Sequence, residues 1–225
     1  MDLVKFDKKD FVSLIPLRGG SKGIPRKNIK ILCGKPLFAY VVEASIKSGL
    51  RTVISTEDQE IKEMCKKRFK DSEVIDRPDE IASDTSTTEE VIDHFLKTDK
   101  NQKHIILLQA TSPLTSSDDI NGAIDQYLIN NEIPLVSVVN EHCFLWDSFG
   151  NPINYDPYKR PRRQDWDGIN KENGALYIFS RNHFNKHKCR AGGQVTLYKM
   201  KSKTKYEIDE IDDFEILNSI LRKKI

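Results

Sequence analysis

The sequence predicts an α/β fold built on a doubly wound, mostly parallel sheet, and three observations carry that expectation. β-rich apolar runs alternate with helically spaced segments, the first run ends directly in a loop of glycines and cations, and an amphipathic helix signal closes the chain. A length of 225 residues suits one α/β unit with an appendage. Residues 1–225 therefore read as a single domain, with an irregular extension over 140–172.

The elements follow in order. "FVSLIPL", ending at Leu17, is the first strand, and a long loop follows it. "KPLFAYVVEASIKSG" is a helix, with Pro36 near its start and Gly49 at its end. "RTVIST" is a second strand, "EDQEIKEMCKKRF" an amphipathic helix and "SEVID" a short third strand. Ser86 and Glu89 have capping-box spacing ahead of an apolar face, so a helix is expected there, and "HIILLQ" then reads as a strand buried on both sides. Ser116 and Asp119 repeat that spacing before another helix, and "PLVSVV" is the fifth strand. From about His142 the pattern breaks into a stretch rich in aromatics, prolines, asparagines and arginines. Such a stretch inside a compact domain is usually functional or interface-forming. "GALYIFS" and "VTLYKM" are later strands, and "DDFEILNSILRKKI" is a terminal helix whose Leu217, Ile220 and Leu221 are expected on the sheet. No internal repeat is present.

Composition excludes several classes. A formal net charge of +2 with 31% charged residues offers no whole-chain argument for nucleic acid. The opening "MDLVKFDKKDF" has no continuous apolar core of a leader, and no apolar run approaches the roughly 18 residues of a membrane span. A cytoplasmic protein with no membrane partner is expected. Cys33, Cys65, Cys143 and Cys189 lie far apart with no CxxC pair, which points to reduced thiols and not to zinc or a disulfide framework.

The chemistry gathers at "SLIPLRGGSKGIPRKN". In a doubly wound sheet the loop after the first strand is a common phosphate site. Gly19, Gly20 and Gly23 are expected to take backbone angles closed to other residues and to let amides approach an anion, while Arg18, Lys22, Arg26 and Lys27 add charge. The spacing is neither GxxxxGK[ST] nor GxGxxG, so neither an ordinary ATPase nor a dinucleotide enzyme is indicated. A solvated charge cluster would have the same composition. Its place directly after a buried strand favours a polyphosphate.

That loop, with "RPDEIASDTSTTEEVI", "LLQATSPL", "RRQDW", "ENGALYIF" and "EIDEIDDFEIL" in the same order, closely resembles the sialic-acid class of CMP-sugar synthetases, the acylneuraminate cytidylyltransferases. The resemblance covers nearly the whole chain. It implies a Rossmann-like nucleotidyltransferase sheet and transfer of CMP from CTP to the anomeric hydroxyl of a 2-keto-3-deoxy sugar acid, such as neuraminate, legionaminate or pseudaminate. Pyrophosphate is released, with Mg²⁺ or another divalent cation as cofactor. It further implies a homodimer formed through the 140–172 extension, whose composition would equally suit a lid on a monomer, and a product destined for surface polysaccharide.

By the same resemblance, Arg18, Gly20, Ser21, Lys22, Lys27 and Asn28 belong to the CTP-binding signature, with Lys22 and Arg18 stabilising charge during transfer. Arg77, alone a surface cation before a proline turn, and the "ASDTSTT" segment ending in Thr88 fall in the nucleoside pocket, and Gln109 falls at the base of the crevice, contacting the nucleotide or the sugar. Arg163, Lys171, Asn173 and Tyr177 fall on the sugar side. "KRPRRQDW" taken alone suits an acidic substrate or a nucleic-acid patch, and the near-neutral chain disfavours the latter. Asp209 and Glu207 align with the family's metal carboxylates, Asp209 also counted among the catalytic groups, while Asp212 and Asp213 suit the cap of the last helix. Two other classes stay open: a synthetase for an octulosonate-type acid, and a non-enzymatic nucleotide- or RNA-binding module.

Overall fold

The computed structural model describes residues 7–222; the first residues of "MDLVKFDKKDF" and the last three of "DDFEILNSILRKKI" lie outside the described residues. In chain order the strands are β1 (Phe11–Pro16), β2 (Ile31–Leu32), β3 (Lys35–Pro36), β4 (Arg51–Thr56), β5 (Ser72–Asp76), β6 (His104–Leu108), β7 (Leu135–Glu141), β8 (Ile169–Ser180) and β9 (Thr196–Lys199). The helices are α1 (Leu37–Lys47), α2 (Gln59–Arg68), α3 (Thr88–Thr98), α4 (Ser117–Ile129), α5 (Arg181–His187) and α6 (Ile211–Arg222).

A seven-stranded sheet runs β5-β4-β1-β6-β8-β7-β9, and β2 and β3 form a separate hairpin. β1 pairs in parallel with β4 and β6, β4 with β5, and β7 with β9. The expected α/β, mostly parallel architecture is therefore present, with one feature the linear reading lacks. β8 slots between β6 and β7 and runs antiparallel to both.

Alternation along β1 splits the core as a pleated strand must. Phe11 and Ile15 join Ile54, Ile106 and Leu108 under Phe38 and Val42 of α1, Ile61 of α2 and Ile124 of α4. Val12 and Leu14 face the other way, with Ile105 and Leu107, against Ile92 and Phe95 of α3 and Phe184 of α5. All five residues of β6 are buried, as a central strand covered on both faces requires.

Local signals set most helix ends. Pro36 precedes α1, and beyond Ser48 the chain leaves it through Gly49 at φ +78°. α4 starts on the expected capping box of Ser116 and Asp119. The box of α3 is Thr87 with Glu90, one residue beyond the expected Ser86 and Glu89, because both hydroxyl–acid pairs have the spacing and only the later one is engaged. Helix α6 does not lie on the sheet: Phe214, Leu217 and Leu221 pack with Ile24, Leu32, Leu37 and Leu114, clamping the hairpin and the loop before it. The cysteines are free thiols. No helix among the described residues is long and apolar enough to cross a membrane.

At the edge opposite the loop, His104 is buried, stacks on Phe11 at 4.7 Å and meets the Tyr127 hydroxyl through Nδ1 at 3.2 Å. Burial depresses its pKa, Lys103 adding to this, while Glu132 and Asp10 oppose it without reversing it. The folded value lies below the unfolded one, about 6.5. The unfolded chain therefore gains the proton first as pH falls, and stability drops below about pH 6.5. His104→Phe should flatten the dependence of Tm on pH between pH 7 and pH 5; an unchanged slope would assign the acid sensitivity elsewhere.

Candidate active site

The loop after β1 is held in shape by its own polar groups. Asn28 Nδ2 donates to the Arg18 carbonyl at 2.9 Å, tying the end of the loop to its beginning. The Gly19 amide donates to Glu57 at 2.6 Å, and Arg26, at φ +57°, pairs with Asp58 and Glu60 on the β4–α2 turn. Lys27 donates to the Ile208 carbonyl at 2.8 Å and lies 3.4 Å from Asp209, linking the loop to the acidic turn before α6.

The glycines act through space and not through dihedral angle. None of Gly19, Gly20 and Gly23 has a positive φ, contrary to the expectation from sequence; the left-handed residue of this loop is Arg26. A Cβ on Gly19 would overlap the Asp58 carboxylate, 2.8 Å from its Cγ, and that side chain is fixed by Arg26 and by the Ile61 amide it caps. Gly20 faces open space. Gly19→Ala should therefore cost about 1–3 kcal/mol through overpacking and displace the Asp58 side chain. Wild-type melting in that variant would refute the fit.

A cleft of about 270 Å³ opens above the carboxyl ends of β1 and β6. Arg18, Gly20, Ser21, Lys27 and Asn28 line it from the loop, and Arg77, Thr88 and Gln109 line it from the opposite side. Arg77 is 6% exposed, with Nη2 donating to the Ser55 carbonyl at 2.6 Å, so it is a buried wall of the cleft and not a loose surface cation. Burial lowers its pKa and Glu57 supports the charged form. Thr88 opens α3 and Val91, one turn on, lines the cleft with it. Ser83, Asp84 and Thr87 line it too. Of these Asp84 was not singled out from sequence: Arg18 donates to its Oδ1 at 2.9 Å and to the Ser83 carbonyl at 3.0 Å, and Lys22 approaches its Oδ2 at 3.6 Å. Lys22 itself stands at the rim, outside the lining, with 74% of its side chain exposed. Exposed ion pairs of this kind contribute about 0–1 kcal/mol each. The cations are available to a ligand.

The sugar-side residues are dispersed. Gly174, at φ +61°, lies so close to Glu207 that a Cβ there would be 2.9 Å from Oε2 and 3.8 Å from Gln109 Oε1. This approach arises from a bulge: Tyr177 faces Val136 and Glu172 faces Val138, so four residues of β8 bow out past Ser137. Asn173, expected in the pocket, is 2% exposed and fills that bulge, accepting from Ser137 at 2.7 Å and donating to Thr204 Oγ1 at 3.0 Å. It positions β8 and does not face the cleft. Tyr177 is buried in the core toward α3, with its hydroxyl on Glu172 and Arg190 over its ring at 4.5 Å. Lys171 is exposed and near enough to Glu207 to favour its ionised form. Arg163 is exposed in the turn Arg163–Asp165, on the Lys205 side, and no carboxylate pairs with its guanidinium among the described residues.

Glu207 and Asp209 form a carboxylate pair beside Lys27. Burial raises the Glu207 pKa, Asp209 raises it further, and Lys171 and Lys27 pull it back. Among the described residues no group of three His, Cys, Asp or Glu is placed to hold a metal by itself. Asp213 accepts the Asp209 and Glu210 amides at 2.8 Å and so caps the turn.

A family model described as a cytidylyltransferase matches residues 12–224. The chain belongs to this family. The resemblance seen in the motifs extends to cytidylyltransferase relatives along the chain: the N-acylneuraminate cytidylyltransferase of Oncorhynchus mykiss is 33% identical over 219 residues, 93% of this chain and 50% of that protein. The pseudaminic acid cytidylyltransferase of Campylobacter jejuni is 30% identical over 176 residues, 76% of this chain and 68% of that protein. The chain spans about half the length of the N-acylneuraminate cytidylyltransferases it matches. In fold, this cytidylyltransferase is similar to a CMP:2-keto-3-deoxy-manno-octonic acid synthetase complexed with CTP, with TM-score 0.74 and 15% identity over 96% of this chain and 99% of that one. It is also similar to the 4-diphosphocytidyl-2C-methyl-D-erythritol synthase of Anaerococcus prevotii, with TM-score 0.70 and 11% identity over 96% and 100%.

Proposed function

We propose that this chain transfers CMP from CTP to the anomeric hydroxyl of a 2-keto-3-deoxy sugar acid of the nonulosonate class, releasing pyrophosphate. The observation that carries the reading is the single cleft in which the loop residues Arg18, Ser21 and Lys27 oppose Arg77, Thr88 and Gln109. Cations on one wall suit a triphosphate, and a hydroxyl- and amide-bearing wall suits a nucleoside. The cytidylyltransferase relatives support CTP, and those named for acylneuraminate and pseudaminic acid support the acceptor class.

In the transfer, the oxygen of the anomeric hydroxyl attacks the α-phosphorus and its proton passes to a carboxylate of the acidic turn or to water, while the bond from that phosphorus to the bridging oxygen breaks and its electron pair leaves with pyrophosphate. Such reactions need positioning and charge neutralisation more than a protein nucleophile. Arg18 and Lys22 offset the charge gathering on the leaving oxygens. Gln109, beside Gly174, orients the acceptor between nucleotide and acidic turn. Arg163 and Lys171 attract the sugar-acid carboxylate, the planar guanidinium suiting a bidentate contact. Asp209 and Glu207 would hold the divalent cation, which when bound would neutralise phosphate charge and lower the pKa of the attacking hydroxyl.

The reading also takes residues 1–225 as one cytoplasmic domain that works as a homodimer, making CMP-sugars for surface polysaccharide. The extension supports the dimer by its composition: Phe144 stacks on Trp166 at 5.1 Å and holds Arg160 at 4.1 Å, while Phe149, Ile153 and Tyr158 stay exposed.

Pyrophosphate release with Mg²⁺ and CTP, measured against neuraminate, legionaminate, pseudaminate and octulosonate sugars with ATP, GTP and UTP as controls, tests the reading. Release with CTP and one nonulosonate is expected. Silence across the panel, or release with another nucleotide, would overturn it.

A further inference from the structure

The cations of the loop have an anion of the chain itself beside them. Asp84 places Oδ1 2.9 Å from Arg18 and Oδ2 3.6 Å from Lys22, and Arg18 also donates to the neighbouring Ser83 carbonyl at 3.0 Å. Asp84 itself lines the cleft. The segment bearing it has no regular structure: Ser83, Thr85 and Ser86 bond one another, and the 3-10 turn Asp79–Ile81 and Thr87 bound it. A carboxylate on such a tether competes with a bound anion at an effective concentration of roughly millimolar order. The other loop cations are engaged differently. Arg26 is held by Asp58 at the N-cap of α2 and Glu60 in its first turn, and Lys27 by the Ile208 carbonyl and Asp209, whereas Arg18 and Lys22 share one carboxylate, Asp84, that lines the cleft.

We propose that Asp84 is an internal counter-anion that exchanges with the terminal phosphates of the nucleotide on Arg18 and Lys22. Rebinding of Asp84 after transfer speeds the departure of pyrophosphate. The proposal rests on the reading of the cleft as a CTP site and adds the residue that sets how tightly the leaving group is held. Its chemistry is that of charge exchange: two cations that would otherwise retain a highly charged product regain their own carboxylate as it leaves.

The test titrates inorganic pyrophosphate, and separately CTP, into the full chain and into Asp84→Asn, Asp84→Glu and Glu60→Gln, with magnesium present, by calorimetry. Asp84→Asn keeps the shape and removes the charge. It should bind pyrophosphate about three- to tenfold more tightly, and pyrophosphate should inhibit its forward reaction at correspondingly lower concentration. Asp84→Glu restores the carboxylate and should return both values toward wild type. Glu60→Gln removes a charge from the same loop's surroundings without touching Arg18 or Lys22, and should leave pyrophosphate affinity unchanged. If wild type binds CTP while Asp84→Asn binds pyrophosphate no more tightly, the exchange is wrong and the site reading stands. A gain in Glu60→Gln equal to that in Asp84→Asn would reduce the effect to general charge and also overturn the proposal. Absence of CTP binding by every form, with unchanged melting, would overturn the site reading and the exchange together.

Discussion

Lys22→Ala should lower kcat by about 100- to 1000-fold while weakening CTP binding only modestly. The ammonium sits at the rim of the cleft, largely exposed, and its one ion-pair contact is the 3.6 Å approach to Asp84. A group so loosely held adds little to ground-state binding, because Arg18, Lys27 and the loop amides remain to hold the nucleotide. Its charge matters when negative charge builds on the leaving phosphate oxygens, and a flexible lysine can follow that charge as the bond breaks. Steady-state kcat set beside the CTP Kd separates the cases. Wild-type turnover in the variant would remove Lys22 from the transfer step, and an equal fall in affinity and turnover would make it a ground-state contact.

Asp209→Asn should cost at least about 100-fold in turnover and abolish the response to added Mg²⁺. The geometry makes this variant informative. Asp209 lies 3.4 Å from Lys27, but Lys27 is anchored independently by the Ile208 carbonyl at 2.8 Å, and Asp213 receives the Asp209 backbone amide and not its side chain. The loop and the turn therefore keep their places when the carboxylate becomes an amide. CTP binding without metal should be retained. A magnesium titration with the wild-type midpoint would show that Asp209 does not hold the cation.

How much of this was legible in the sequence depends on how far apart the interacting residues lie. The loop from Arg18 to Asn28 could be read as a unit because it closes on itself, Asn28 bonding back to Arg18 only ten positions away. Arg77, Thr88 and Gln109 follow strands or open a helix at one edge of the sheet, so the order of elements brings them to the loop. The place of Asn173 inside the bulge is not legible, because its partners, Ser137 and Thr204, are 36 and 31 residues distant, and nothing local distinguishes a bulge-filling amide from a ligand-binding one. The segment "ASDTSTT" is legible as cleft lining, but the pairing of its Asp84 with Arg18 is not, since it spans 66 residues. The slip from Ser86 to Thr87 at the start of α3 has the opposite cause: two adjacent positions carry the same signal, and only packing chooses between them. The three-dimensional place of α6 was equally invisible, because its apolar stripe fits the hairpin cluster as well as it would fit a sheet.

The insertion of β8 between β6 and β7 bears on how the molecule is assembled. Both neighbours of β7 in the sheet, β8 and β9, come later in the chain. As the polypeptide leaves the ribosome, β1, β4, β5 and β6 can join into a layer bearing the loop cations, while β7 waits with no mate and β6 shows a bare flank. Only when residues up to Ser180 have emerged does β8 slide in, seal that flank and recruit β7. The wall beside Glu207 is thus finished only after the layer that bears the loop, with β9 still to add to the far side of β7, and pairing over such separations is slow. A nascent chain halted after Glu141 would hold most of the nucleotide cradle beside two unsatisfied β edges, the state most exposed to mispairing with other chains.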